Sequence, residues 1–278
     1  MSLTLHDTTE LTSGHRMPML GFGTWKLGEG SAAREAVGAA LELGYRHVDT
    51  AAAYENERSV GEAVRDSGIR REEVFVTTKA WTDDIRGGYD AVLSACEESL
   101  RRLGLEYVDL YLLHWPVGRQ NCEAWRALEF LYHNGKARSI GVCNYLPHHL
   151  ESLLAGADIA PMVDQIEFHP RLLQPDLAAA CSRHGIVREA WSPLMQGHVG
   201  DVPEIVGIAR RHGRTPEQVV LRWDLQQQVA TIPRSSQREH IAGNAALFDF
   251  ELTPDDLMTL NHLDCNRRFG PNPDHIGF

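Results

Sequence analysis

The chain lacks several patterns that would each have marked a class of protein. Its five cysteines, Cys96, Cys122, Cys143, Cys181 and Cys265, are odd in number and widely spaced, with no C-x-x-C pair. That excludes a disulfide framework, a zinc ribbon and a thioredoxin-type centre, and reduced thiols in a cytoplasm are the expectation. No apolar run is long enough to span a bilayer, and the opening MSLTLHDTTE has no basic stretch leading into an apolar one, so a secretory signal is not expected. Positive charge is in deficit: 27 Lys and Arg against 38 Asp and Glu give a net charge of −11. Nucleic acid and anionic membrane both reward a basic face and are disfavoured as partners, although a local basic pocket for a small anion is not. G-x-S-x-G and H-E-x-x-H are missing too, and with them the hydrolase elbow and the zincin site.

What the 278 residues do contain is alternation. With 43% hydrophobic and 23% charged residues the composition is that of an ordinary globular protein. No linker interrupts it, so a single domain over residues 1–278 is expected. After a hairpin turning at Ser13-Gly14, eight β-rich runs are read at 19–23, 46–49, 74–78, 108–113, 139–142, 162–166, 186–190 and 229–232. Helical patterns follow at 31–43, 57–67, 89–103, 123–134, 148–155, 175–184, the pair 203–212 and 216–226, and 238–246, with a last helix opened by Thr253-Pro254. Ser31 reads as an N-cap and Gly44 as the residue just past its helix. Val92, Cys96, Leu100 and Leu103 share one helical face. This order predicts an α/β fold, a (β/α)8 TIM barrel with an N-terminal β-hairpin. The rival is a doubly wound open sheet, which usually opens with G-x-G-x-x-G. Gly21-Phe22-Gly23-Thr24-Trp25-Lys26 lacks the third glycine, so the barrel is preferred.

Chemistry in such a barrel sits at the C-terminal ends of the strands. The second strand ends in Asp49, with Tyr54 a few residues on; the third ends in Lys79 and the fourth in His114. Taken singly, Asp49 reads as a helix cap, Lys79 as a solvated side chain and His114 as a core histidine. Their convergence on one rim is what points to a site. A free tyrosine titrates near ~10, too high for ready proton donation at neutral pH. A neighbouring ammonium lowers that value, and a carboxylate holds the ammonium in turn. Tyr54 is therefore expected as the acid, Lys79 as its tuner, Asp49 as the partner of Lys79, and His114 as the group that orients a carbonyl oxygen. His148-His149 read as surface residues at a helix start and His169 has no partner at ligand spacing, so no metal centre is expected. Hydride must then come from elsewhere. The loops after strands seven and eight, where barrels often bind phosphate, read Trp191-Ser192-Pro193-Leu194 and Ile232-Pro233-Arg234-Ser235-Ser236-Gln237-Arg238. The second precedes a helix N-terminus, which favours anions, and its arginine and serines add charge and hydroxyls. A phosphorylated nicotinamide cofactor accounts for both the loop and the hydride.

These residues resemble the aldo-keto reductase family over essentially the whole chain. The matching runs are Gly21-Phe22-Gly23-Thr24-Trp25, His47-Val48-Asp49-Thr50-Ala51 through Tyr54-Glu55-Asn56-Glu57, Leu112-Leu113-His114-Trp115-Pro116, Gly141-Val142-Cys143-Asn144, Asp164-Gln165-Ile166-Glu167 and Ile232-Pro233-Arg234-Ser235. The short C-terminus and the short loop after His114 resemble the bacterial 2,5-diketo-D-gluconate reductase-like branch. The resemblance implies NADPH-dependent reduction of aldehydes and ketones to alcohols, with a catalytic quartet on Asp49, Tyr54, Lys79 and His114. The cofactor contacts it implies are Thr24, Asp49 and Cys143, with Asn144 and Gln165 on the nicotinamide carboxamide and Trp191 stacked on the ring. Ser192 and Leu194 would follow the pyrophosphate, Arg234, Ser235, Ser236 and His240 the 2′-phosphate, and Asn244 the adenine.

The chain departs from the family pattern in places. Cys143 stands where serine is usual, and a thiol is a weaker hydrogen-bonding group. His240 stands where an arginine is usual, and neutral histidine offers neither a permanent charge nor a bidentate fork. Gly243 replaces a common acidic residue, and Arg238 is the candidate to compensate for His240. Trp25, Trp81 and Trp115 are expected to ring the same mouth as Tyr54 and His114, forming an apolar wall for a small-molecule carbonyl substrate. Short loops point to an open site acting on small aldehydes, α-dicarbonyls and some keto sugars. The alternative is an NADPH-binding, redox-sensing regulatory protein with little turnover; a purely structural barrel leaves the quartet and the basic loop unexplained. A monomer is expected by analogy with barrels of this family.

Overall fold

The computed structural model describes residues 3–277. β1 (Thr8–Glu10) and β2 (Arg16–Pro18) form the antiparallel hairpin expected around Ser13-Gly14, and Gly14 there takes φ +81°. Eight parallel strands follow, each paired with the next in chain order: β3 (Phe22–Gly23), β4 (His47–Asp49), β5 (Phe75–Ala80), β6 (Leu110–Leu113), β7 (Ile140–Cys143), β8 (Val163–Glu167), β9 (Val187–Trp191) and β10 (Ala230–Thr231). The ring closes where the first of these meets the last. Gly21 N–H donates to Thr231 O at 2.9 Å, Thr231 N–H to Met19 O at 2.8 Å, and Gly23 N–H to Pro233 O at 3.1 Å. The Gly21-x-Gly23 spacing belongs to this closure. A Cβ on Gly23 would lie 2.8 Å from Ile232 O, and one on Gly21 would lie 2.8 Å from both His47 Nδ1 and Ile232 Cγ2. Only residues without a side chain let the two strands approach so closely.

Between the strands lie α1 (Ser31–Glu42), α2 (Glu57–Asp66), α3 (Thr82–Arg86), α4 (Tyr89–Leu103), α5 (Gln120–His133), α6 (Pro147–Leu154), α7 (Pro175–Arg183), α8 (Pro203–His212) and α9 (Pro216–Gln226), and after the last strand come α10 (Arg238–Ala245) and α11 (Pro254–Asn261). The boundaries follow local chemistry. α4 buries Val92, Cys96, Leu100 and Leu103 on one face and stops at Gly104, φ +63°. In α11 the Thr253 hydroxyl accepts from Asp256 N–H at 3.2 Å, with Pro254 at N1. Such caps are each worth about 1 kcal/mol. α1 departs from expectation: Ser31 is its first helical residue and Gly30, at φ +95°, is the cap, its N–H taken by the Ser59 hydroxyl at 2.8 Å. α3 and the short helical segment Met195–Asp201 are additions to the expected plan. α3 is held by the Asp84 carboxylate accepting from Trp81 N–H, too short a piece for periodicity to reveal. Among the large side chains of the core, Trp223 stacks on Phe168 with centroids 4.9 Å apart. Full burial of an aromatic of this kind is worth about 2–3 kcal/mol.

Candidate active site

The strand ends of β4, β5, β8 and β9 carry a buried polar floor. Lys79 donates to Asp49 Oδ1 at 2.7 Å, to Asp49 Oδ2 at 2.8 Å and to Thr50 O at 2.8 Å, so its three N–H groups are all engaged. Gln165 Nε2 donates both to Asp49 Oδ2 and to Glu189 Oε2, each at 2.7 Å. Thr24 supports the floor from the side, its hydroxyl donating to Asp49 O at 2.9 Å. Burial works against the Lys79 charge, but Asp49 outweighs it and holds the ammonium above its ordinary range. Burial raises the Asp49 carboxyl, against the pull of Lys79 and Gln165. Burial and the nearby Asp49 carboxylate push Glu189 up to about 8.

Tyr54 reaches this floor from a 3-10 turn, Ala52–Tyr54, that follows β4 and ends in Glu55 at φ 56°. Asn56 secures the turn. Its amide nitrogen donates to Thr24 O and Leu27 O, both at 2.9 Å, and its oxygen accepts from the Thr50 hydroxyl at 2.7 Å. Glu57 does the same for α2, accepting from Thr78 on β5 and Arg102 on α4, both at 2.6 Å. Lys79 Nζ lies 5.0 Å from the Tyr54 ring centroid, and the Tyr54 and His114 rings meet edge to face at 5.6 Å. The expected downward tuning of Tyr54 is not the outcome. Burial raises the phenol above its ordinary value, and the Lys79 ammonium pulls against that without reversing it. Desolvation of the phenolate is the larger effect, and the Asp49 carboxylate offsets part of what Lys79 contributes. His114 is pushed well below its ordinary value by burial and by Lys79, so its imidazole is neutral at physiological pH.

Above the floor opens a cavity of ≈ 1350 Å³. Trp81 and Trp115 stand against His114, at ring distances of 5.2 and 6.4 Å, and Trp25, 42% exposed, lines the outer edge. Along the other wall come Cys143, Asn144, Gln165, Trp191, Ser192 and Leu194, and then the loop before α10 with Arg234, Ser235, Ser236, His240 and Asn244. Two residues expected at the cofactor or the reacting groups do not line it: Thr24 and Lys79 are fully buried beneath. Asn144, at φ 65°, donates to His114 O at 3.0 Å and accepts from Trp191 Nε1 at 2.9 Å, which fixes the indole at the rim. Arg234 donates to Trp25 O and Lys26 O, bracing one mouth loop against the other. Arg238 turns away to Glu42 at 2.7 Å and is not among the lining residues, so the compensation expected of it is not in place; His240 does line the wall. An elongated cavity, an indole face at its middle and a cationic, hydroxyl-bearing loop at a helix N-terminus make a donor set that fits a dinucleotide phosphate.

Sequence reasoning missed a second wall. Glu167 Oε1 accepts from Phe269 N–H at 2.6 Å and Gly270 N–H at 3.1 Å, and this ties the C-terminal segment over the cavity. Phe269, Gly270 and Pro271 line it, and a Cβ on Gly270 would lie 2.3 Å from the Trp191 ring. The available signal was the period of two along β8, which puts Glu167 on the same side as Gln165. His148, His149 and Asp274 also gather, with their ligand atoms within 4.8 Å of one another. His149 Nδ1, however, accepts from Leu146 N–H at 3.1 Å. The neutral ring therefore keeps its proton on Nε2, the atom facing Asp274, where a metal would need a lone pair.

Comparison with known proteins agrees with this geometry. The model of the aldo/keto reductase family matches residues 19–264. Glyoxal reductase of Bacillus subtilis (strain 168) is 49% identical over 278 residues, covering 100% of both chains. Methylglyoxal reductase DkgA of Escherichia coli (strain K12) is 42% identical over 272 residues, 96% of this chain and 97% of its own. A crystal structure of a Gox0644 mutant in complex with NADPH shares 39% identity at a TM-score of 0.93, covering 98% of this chain and 99% of that one. An eight-stranded barrel with this rim is an oxidoreductase that works with NADP(H). The chain belongs to the aldo/keto reductase family. Among the described residues, no helix is long and apolar enough to cross a membrane.

Proposed function

We propose that the protein reduces small aldehydes, α-dicarbonyls and keto sugars to alcohols, with Tyr54 donating the proton. The observation that carries this reading is the meeting of Tyr54 and His114 at 5.6 Å over the Lys79–Asp49 pair, at the inner end of the cavity. When bound, NADPH supplies the hydride. Neutral His114 donates a hydrogen bond that orients the substrate carbonyl oxygen. The Tyr54 phenol, kept protonated by burial, gives its proton only as negative charge grows on that oxygen. Lys79 then lies close enough to stabilise the phenolate left behind, and Asp49 keeps Lys79 in place. Gln165 and Asn144 would hold the nicotinamide carboxamide, Trp191 would cover the ring, and Ser192, Leu194, Arg234, Ser235, Ser236 and His240 would follow the phosphates toward Asn244. Trp25, Trp81 and Trp115 would confine an apolar or planar substrate while keeping bulk water from the reacting carbon.

Glyoxal and methylglyoxal reductases among the relatives support α-dicarbonyls as the first substrates to try. A likeness to the 2,5-diketo-D-gluconate reductase branch makes keto sugars the second class. The test is steady-state oxidation of NADPH with a panel of such carbonyls, in the native protein and in Tyr54→Phe. Removing a general acid costs about 100-fold or more in kcat, while NADPH affinity should stay within about twofold because the substitution deletes one oxygen. Full turnover in Tyr54→Phe would overturn the assignment. Tight NADPH binding with no turnover on any carbonyl would favour a redox sensor instead.

A further inference from the structure

The floor holds one carboxyl that the reaction does not use. Glu189 lies on β9 two residues before Trp191, fully buried, and among the described residues its hydrogen-bond donor is Gln165. Among the described residues its second oxygen has no partner within hydrogen-bond distance, and it sits 3.6 Å from His47 Nδ1. Burying a carboxyl with an oxygen left unsatisfied costs stability, so cohesion of the barrel does not account for it. We propose that Glu189 is a positioning residue for the cofactor: with Asp49 it fixes which end of the Gln165 amide faces the cavity. The site thereby presents an oxygen acceptor, suited to an uncharged carboxamide and hostile to a carboxylate. This rests on the reading of Gln165 as a partner of the nicotinamide carboxamide.

The geometry leaves the amide little choice. Gln165 Nε2 is 2.7 Å from a carboxyl oxygen of Asp49 and 2.7 Å from one of Glu189, so each of its two protons has its own acceptor. The reversed amide would set an oxygen 2.7 Å from both carboxyls, relieved at most by a proton on one of them. Asp49, Gln165 and Glu189 are each 1% exposed or less, so bulk water competes little for the amide nitrogen. With the nitrogen committed inward, Gln165 Oε1 is met, among the described residues, only by the Cys143 thiol at 3.6 Å. A thiol is a weak donor that an amide N–H of a ligand displaces readily. Glu189 thus sets the polarity of a contact it never touches.

The experiment compares binding of NADP+ with that of its deamidated analogue, in which a carboxylate replaces the carboxamide, by quenching of tryptophan fluorescence in the full chain. The native protein should prefer NADP+ by at least about tenfold, one oriented hydrogen bond plus a repulsion. In Glu189→Met the amide keeps only Asp49, and the preference should shrink by about fivefold or more, chiefly through tighter binding of the acid. Glu189→Gln retains an acceptor oxygen and should stay within about twofold of native. An unchanged preference in Glu189→Met overturns the role of Glu189 alone. Equal affinities in the native protein overturn the Gln165 contact and the proposal together. Should Glu189→Met fail to fold, the side-chain amide resonances of Gln165 in the native protein decide. Both protons should stay protected from exchange and shift little when NADP+ binds; exposure or a large shift of both overturns the proposal.

Discussion

The floor of the cavity and its outer mouth are built on opposite terms. On the floor, Asp49, Lys79, Gln165 and Glu189 are buried and bonded to one another at 2.7–2.8 Å before any ligand arrives. At the mouth, Arg234, Ser236 and His240 are exposed, and the arginine hydrogen-bonds to backbone carbonyls of a neighbouring loop. Buried charges are costly to orphan, whereas exposed ones are screened and cheap to move. On the proposed function, the floor would couple chemistry to stability, and the mouth would govern cofactor affinity with little effect on the fold.

The hardest test of that difference is Lys79→Met. It removes the ammonium from a pair that is almost wholly buried and leaves Asp49 with an uncompensated charge, or forces it to take a proton. Breaking such a pair costs about 3–5 kcal/mol, which should appear as a lower urea midpoint together with loss of turnover. Adding Asp49→Asn to Lys79→Met should recover part of the stability and none of the activity. If Lys79→Met unfolds at the native midpoint, the floor is not a coupled unit.

A second test reads the same coupling through pH. Burial, with a smaller contribution from Lys79, lowers His47 to about 3 and also pushes His114 down. The unfolded chain takes up those protons near pH ~6.5, so between there and about 3 it binds more protons than the native state. Stability must then fall as pH drops through that window. Glu189, raised to about 8, gives the opposite slope. The native state holds its proton beyond the ordinary carboxyl range, and stability declines as pH rises toward 8. Urea midpoints across about pH 4 to 9 should trace a dome. His47→Asn should flatten its acid side and Glu189→Gln its alkaline side, each by a few kcal/mol at most. A flat native profile would refute the assignment.

The legibility of the two regions in the sequence differs for the same physical reason. Strand and helix alternation, the hairpin, and the caps at Gly104 and Thr253 are local properties, written in periodicity and turn chemistry. The rim positions of Asp49, Tyr54, Lys79 and His114 follow from strand ends plus the rule for barrels. The direction of the Tyr54 shift was not legible, because it depends on how much solvent the fold removes and how far Asp49 cancels Lys79. Glu189 carried a faint signal: in Val187–Trp191 the period of two places it on the side of Trp191, inside the ring. Nothing local told that Arg238 would turn to Glu42 or that Glu167 would tie down Phe269 and Gly270. Those partners lie roughly 100 to 200 positions apart in the chain, where only the closed fold brings them together.

The smallest expected effect belongs to the mouth. His240 is exposed on the cavity wall, four residues after Ser236, while the nearby Arg238 is spent on Glu42. His240→Arg restores a permanent charge and a forked donor beside the loop, and a charge-assisted contact to a 2′-phosphate is worth about tenfold in affinity. NADPH should therefore bind about tenfold tighter and NADH almost unchanged, with the gain shrinking as salt is raised. The urea midpoint should not move, since no buried group loses a partner. Arg238→Ala should leave both affinities near native, because its guanidinium faces Glu42 rather than the cavity. Equal tightening of NADPH and NADH by His240→Arg would remove this residue from 2′-phosphate recognition. A shift in stability from the same substitution would erase the distinction between mouth and floor.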